Sequence, residues 1–215
     1  MASAEVQTRL MGNPRTFQDE ITRWAAGGSS GPLRELAVGL EVRTVVLLEG
    51  LSDVAALQAL TARQGRDLAA EGVYVVSMGG AMNVGRYAGV LGRTGLGLEL
   101  AGLCDERERP YFDRAFDRAS APLRNVFVCV ADLEDEFIRA LGEARVEEII
   151  QAEGEARAWQ TFARQPAQHG RSRQQQLRRF LGTKKGRKIR YGTLLVEAVD
   201  LDEVPAPLDD LLRSL

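Results

Sequence analysis

The feature that most constrains this chain is a run of five apolar or β-branched residues, Thr44-Val45-Val46-Leu47-Leu48, that stops abruptly at Glu49-Gly50. A run this short and this continuously apolar reads as a strand buried on both faces, as in parallel sheets covered by helices. Ser52-Asp53 follows and is placed to cap a helix over Val54–Arg63. The pattern then repeats. A second strand over Val73–Ser77 ends in Met78-Gly79-Gly80 and leads into a helix from about Asn83 to Leu91. A third apolar run, Leu96–Cys104, stops at Asp105, ahead of helix-forming sequence over Pro110–Ala119. A fourth strand, Asn125–Val130, runs into Ala131-Asp132-Leu133-Glu134. Strands alternating with helices imply an α/β fold with a mainly parallel sheet. Right-handed crossovers put every strand C-terminus on one edge, where open α/β sheets carry their sites. Three of the four predicted strands end there in carboxylates.

The flanks read as helical. Residues Thr16–Leu40 hold helical stretches broken by a joint at Gly27-Gly28-Ser29-Ser30-Gly31-Pro32, and sequence beyond Glu136 is helical to its end, with a loop over Gln165–Arg171. The last helix begins after Pro205 or Pro207. The expected organisation is an N-terminal helical segment over 1–40, an α/β core over 41–142, and a helical C-terminal region over 143–215.

Several classes of function drop out quickly. No apolar run approaches the roughly 20 residues of a membrane helix, and the N-terminal residues lack the charged and apolar regions of a signal peptide. Cys104 and Cys129 lie in strand-like runs and read as small buried hydrophobes in a reducing cytoplasm. Together with the lone His169, in a polar loop, they cannot build a Cys/His zinc site. Any metal here is held mainly by carboxylates, which favours Mg²⁺ or Mn²⁺. Glu49 and Asp53 flank Gly50, while Asp105 and Glu134 come from other strands. Carboxylates converging on one edge repel one another unless a cation or a proton sits among them. One ion could activate water, and two could clamp both oxygens of a phosphodiester displacement. Each residue also has a plainer role: Asp53 and Asp105 as helix caps, Glu134 in a first turn favoured by the helix dipole. Glu49, ending an apolar strand before glycine, has no such ordinary role. Trp159 and Phe162, three apart on a helical stretch, read as core packing.

These residues carry a resemblance. Val45-Val46-Leu47-Leu48-Glu49-Gly50-Leu51-Ser52-Asp53, with Leu57 following, resembles the opening motif of a TOPRIM domain. Val75-Val76-Ser77-Met78-Gly79-Gly80-Ala81-Met82-Asn83 is similar to the version found in OLD (overcoming lysogenization defect) nucleases, where a strand ends in Gly-Gly before a helix. Leu100-Ala101-Gly102-Leu103-Cys104-Asp105 resembles the strand leading to the family's Asp-x-Asp pair, and Leu133-Glu134-Asp135-Glu136-Phe137 its later acidic motif. Lys188, followed by Gly192 and Leu194-Leu195, resembles the family's late lysine on a helix. The resemblance implies a TOPRIM, Rossmann-like sheet and divalent-metal-dependent phosphodiester hydrolysis, as an endonuclease or nicking enzyme acting on DNA. It makes Glu49, Asp53, Asp105 and Glu134 metal ligands and gives Lys188 the task of stabilising charge on the scissile phosphate. Two departures stand out. Arg107 occupies the place of the second Asp, which leaves two outcomes: Glu108 or Glu106 substitutes, or the site is crippled. No Gly-x-x-x-x-Gly-Lys-Ser/Thr loop is present, so the domain is expected to stand alone or to work with a separate ATPase protein. The alternatives are a catalytically degenerate TOPRIM that binds nucleic acid or a partner, and a nucleotidyl transferase.

Net charge alone argues against a polyanion partner: 28 basic and 30 acidic residues give −2. Position reverses that reading. Ten of the positive charges fall between Arg164 and Arg190 with no acidic residue among them, leaving 18 basic and 30 acidic residues elsewhere, a balance of −12. Arg171, Arg173, Arg178, Arg179, Lys184, Lys185, Arg187, Lys188 and Arg190 are therefore candidate phosphate contacts for DNA or RNA. The plainer reading is a solvated helix face whose arginines pair with the acidic body. Oligomeric state stays open, a homodimer included.

Overall fold

A computed structural model describes residues 14–122 and 125–215. Residues 1–13 of the expected N-terminal segment lie outside the described residues. Four strands, β1 (Thr44–Leu48), β2 (Val73–Ser77), β3 (Glu99–Asp105) and β4 (Val126–Cys129), form one parallel sheet in the order β2-β1-β3-β4. The α/β fold expected from the alternation is the one observed.

Both faces of the sheet are covered, which is why β1 is apolar throughout. Val45 and Leu47 point to one face, Val46 and Leu48 to the other, and all four are fully buried. On the first face lie α1 (Pro14–Ala25), α2 (Gly31–Gly39), α4 (Val84–Leu91) and α5 (Arg109–Arg118), which contribute Phe17, Leu33, Leu91 and Phe112 to the core. The second face is covered by α3 (Leu51–Arg63), α6 (Leu133–Leu141), α7 (Glu143–Ala152), α8 (Ala156–Ala163), α9 (Arg173–Leu181), α10 (Lys185–Ala198) and α11 (Ala206–Ser214). Leu57, Phe137, Ile150, Phe180, Leu195 and Leu211 interlock there. Each such side chain contributes about 1.5–3 kcal/mol on burial.

Several boundaries differ from expectation, three of them for a clear local reason. Helix α3 begins at Leu51 rather than Val54, because the extended backbone of Gly50 serves as its cap. Asp53 therefore sits in the first turn, and its carboxylate accepts the Gly50 N–H at 2.9 Å. Strand β3 starts at Glu99 rather than Leu96, since pairing with β1 begins at Thr44↔Glu99. Gly31 and Pro32 open α2 instead of belonging to the joint before it, proline being well suited to a first helical turn.

Candidate metal centre

The strand order changes direction at β1: β2 lies on one side of it and β3 on the other. Helices leaving β1 and β3 diverge at such a point and open a crevice above the strand ends. Glu49 follows the last residue of β1 and Asp105 is the last residue of β3, so both border that crevice. The turn after β3 brings in a third group. The Glu108 N–H donates to the Asp105 carbonyl at 2.9 Å, and this tight loop carries the Glu108 side chain back to the strand end.

Carboxylate oxygens of Glu49, Asp105 and Glu108 all lie within 4.8 Å of one another. Two oxygens sharing a cation at 2.0–2.6 Å are at most about 5 Å apart, so the trio fits one ion. Among the described residues, Glu108 Oε2 is buried without a hydrogen-bond partner. Burial pushes the Asp105 carboxyl up to about 8, helped by the charges of Asp132, Glu108, Glu49 and Asp53. Glu108 is pushed up to about 7 by burial and by Glu49 beside it. Hard oxygen donors that crowd together at such a cost suit a hard divalent cation.

Glu49, Asp53, Asp105, Glu108, Asp132 and Lys188 line a cavity of about 150 Å³ with Cys104 and Cys129 in its wall. Burial raises both thiols, Cys104 to about 12, so they stay protonated and are poor ligands. Asp53 is raised by burial, against the opposing pull of Lys188 and the Gly50 N–H. Its capping and its place in the cavity wall are both real.

The acidic run after β4 separates into different roles. Asp132 caps α6 by accepting the Asp135 N–H at 2.8 Å, and its other oxygen meets Arg178 at 2.5 Å. Glu136 accepts the Val130 N–H and pairs with Arg139, and Asp135 pairs with Arg139 and Gln174. Among the described residues, Glu134 pairs with Lys188, 3.5 Å away, and its Oε2 has no partner. Burial pushes Glu134 up to about 7, with Lys188 pulling the other way. Burial disfavours the Lys188 charge, yet Glu134, Asp53, Asp132 and Glu49 hold the ammonium above its usual range.

Lys188 reaches this place because α10 crosses α3 very closely. A Cβ on Gly192, one turn after Lys188, would lie 2.7 Å from the Ser52 carbonyl oxygen. Only glycine lets the helix approach there. Arg187, the next residue toward the N-terminus, is nearly buried, forks onto Glu155 and shares that carboxylate with the Tyr191 hydroxyl.

Arg107 and Glu106 are exposed and stand outside the cavity; of the two substitutes considered for the missing Asp, Glu108 is the one at the cluster. Asp132, which was not among the expected ligands, also lines the cavity. The basic segment is dispersed. Arg173 meets Glu147, Arg178 meets Asp132, Arg187 meets Glu155, Lys188 meets Glu134 and Arg190 meets Glu153. Arg171, Arg179 and Lys184 are exposed without an acidic partner among the described residues, Arg171 donating to the Ala167 carbonyl. Lys185 opens α10, and its side chain lies outside the described set. His169 is exposed, and Trp159 packs against Phe162 and Phe180 in the core.

Residues 42–106 match the family model for the TOPRIM domain of overcoming lysogenization defect protein-like sequences. Over those residues the chain is similar to an OLD-like TOPRIM domain. Its fold is similar to the C-terminal region of the Burkholderia pseudomallei OLD protein, with TM-score 0.62 and 19% identity, covering 80% of this chain and 96% of that one. It is also similar to the C-terminal region of the Xanthomonas campestris pv. campestris OLD protein, with TM-score 0.60 and 22% identity, covering 80% and 93%. No curated protein matches the sequence. TOPRIM domains bind divalent metals, and at family level the OLD-like type points to metal-dependent nucleases. Among the described residues, no helix is long and apolar enough to cross a membrane.

Proposed function

We propose that this chain hydrolyses phosphodiester bonds in DNA, as an endonuclease or nicking enzyme that uses Mg²⁺ or Mn²⁺. The observation that carries the reading is the triad Glu49, Asp105 and Glu108, within 4.8 Å of one another on a cavity shared with Lys188. A divalent cation held by the triad would supply positive charge to phosphate oxygens and make bound water more acidic. The protein's own contributions follow from position. Glu49 and Asp105 fix two donor oxygens on strand ends, and Glu108 adds a third from the turn. Lys188 offers its ammonium to the scissile phosphate or the leaving oxygen, and Glu134 keeps that ammonium charged and aimed. Asp53 lines the same cavity beside the triad. Exposed cations such as Arg179 and Lys184 offset the acidic body and attract the polyanion.

Incubating supercoiled plasmid with Mg²⁺, with Mn²⁺ and with chelator tests this. Metal-dependent nicking that disappears in Glu49→Gln and Lys188→Ala is the expected result. DNA binding without cleavage under any metal would overturn it in favour of a binding module, and polymer growth from nucleotides would replace it with nucleotidyl transfer.

A further inference from the structure

A second cleft, of about 650 Å³, adjoins the acidic cavity and shares Glu49, Asp53 and Lys188 with it. We propose that this cleft, between α1 and the Glu49–Gly80 edge of the sheet, seats the unpaired nucleoside next to the scissile phosphate. The proposal rests on the hydrolase reading above and names the form of its substrate.

Size and charge point to that occupant. The acidic cavity, at about 150 Å³, has room for an ion and phosphate oxygens but not for a sugar and base. The neighbouring cleft falls in the range of roughly 300–1,000 Å³ typical of small-molecule sites. Lys188 is the one cation lining it among the described residues, and it stands on the side shared with the acidic cavity. The other walls are neutral: Gln18 and Thr22 of α1, Ser77, Tyr87, Ile189 and Leu51. Such walls carry no positive charge to balance a phosphate, but they can pack a base and hydrogen-bond its edge. Leu51 leaves 48% of its surface exposed at the start of α3, an apolar face that stacking would cover. Gly79 and Gly80 have φ of 70° and 132° and put no side chain over the opening.

The outer wall is firm. Phe17 and Ile21 anchor α1 in the core, and Arg86 lies over the Trp24 ring while donating to the Trp24 carbonyl at 3.1 Å. A base held in a duplex is stacked on both faces and cannot enter such a cleft, whereas an unpaired one can.

The test measures fluorescence anisotropy of a short fluorescein-labelled oligonucleotide in Ca²⁺, as single-stranded DNA, single-stranded RNA and blunt duplex. Thr22→Trp and Gln18→Trp fill the cleft, and Leu51→Ala removes its apolar floor. The expected result is that a single strand binds more tightly than the duplex and that each filling variant weakens it about tenfold. The rise in melting temperature caused by Mn²⁺ should be kept in all three variants, which separates cleft occlusion from unfolding or loss of the metal site. The DNA and RNA arms then assign the sugar. Equal binding of single strand and duplex, or variants that melt and bind as the wild type does, would overturn the proposal. Cleft-dependent binding without cleavage of any nucleic acid would sink the hydrolase reading while supporting this one.

Discussion

Asp105 has an ordinary carboxyl in the unfolded chain and one pushed up to about 8 in the fold, because burial and neighbouring carboxylates penalise its charge. Glu108 and Glu134 are each pushed up to about 7, burial again the leading cause. A raised carboxylate pKa means that the folded state holds protons which the unfolded state releases. The stability these groups contribute is therefore complete below about pH 4 and is lost as pH rises to about 8. In chelator, the melting temperature should fall between pH 5 and pH 8, and Asp105→Asn should flatten that slope. Saturating Mn²⁺ should offset the fall, since a cation stabilises the ionised carboxylates and the fold that gathers them. Calorimetric scans across pH, with and without Mn²⁺, check all three statements. Glu49→Gln should remove the Mn²⁺ stabilisation, and Asp105→Asn should weaken it more than Glu108→Gln. Asp105 is fixed by strand pairing to Cys129, whereas Glu108 sits on a turn that can yield. The opposite ranking in a thermal-shift titration would show that the turn residue dominates. Glu49 and Asp105 were legible in the sequence because each interrupts an apolar strand at its end. Glu108 was among the expected ligands and Glu106 an alternative substitute, and only the turn decides which one folds back.

Helix α10 packs chiefly against α3, and that crossing places Lys188 at the cavity. Gly192→Ala gains up to about 1 kcal/mol in helix propensity. It also sets a methyl group against the Ser52 backbone, which has no flexible end to swing aside. Overpacking of this kind costs about 1–3 kcal/mol, so a net loss of a few degrees in melting temperature is expected. Nicking should fall by more than the stability change accounts for, because Lys188 moves with the helix. Plasmid assays well below the melting transition check that. Arg187→Ala should destabilise by about 2–3 kcal/mol, because it strips a partly buried Glu155 of its guanidinium partner. Chemical denaturation measures this directly. The late helix and its glycine were readable as a resemblance, but the contact that makes the glycine necessary joins residues about 140 positions apart. A one-dimensional pattern carries no such distance.

Across the whole molecule, the basic segment does not form a continuous positive surface. Five of its side chains meet carboxylates from α6, α7 and the loops around them, so much of the positive charge counted in sequence is neutralised within the fold. Arg164, Arg171, Arg179 and Lys184 stay exposed without an acidic partner among the described residues. If these four carry the phosphate contacts, the logarithm of the binding constant should fall with the logarithm of salt with a slope near about −3. Involvement of all nine sequence candidates would more than double that slope, and anisotropy titrations from low to moderate salt separate the two. Arg179→Glu should weaken binding across all sequences alike, the mark of a phosphate contact.

The sequence by itself determined the sheet, its parallel sense and the edge on which chemistry would gather. Strand periodicity and the helices between strands are local, and the handedness of crossovers leaves few ways to arrange them. It also isolated Glu49 and Asp105 as residues out of place in their surroundings, and a resemblance singled out Lys188. Only the tertiary structure decided that Glu108 joins them, that Glu134 holds Lys188, that the arginines are mostly paired, and that α1 walls a cleft beside the site. Those outcomes depend on which side chains meet across helices and turns far apart in sequence, where packing and mutual charge settle the arrangement.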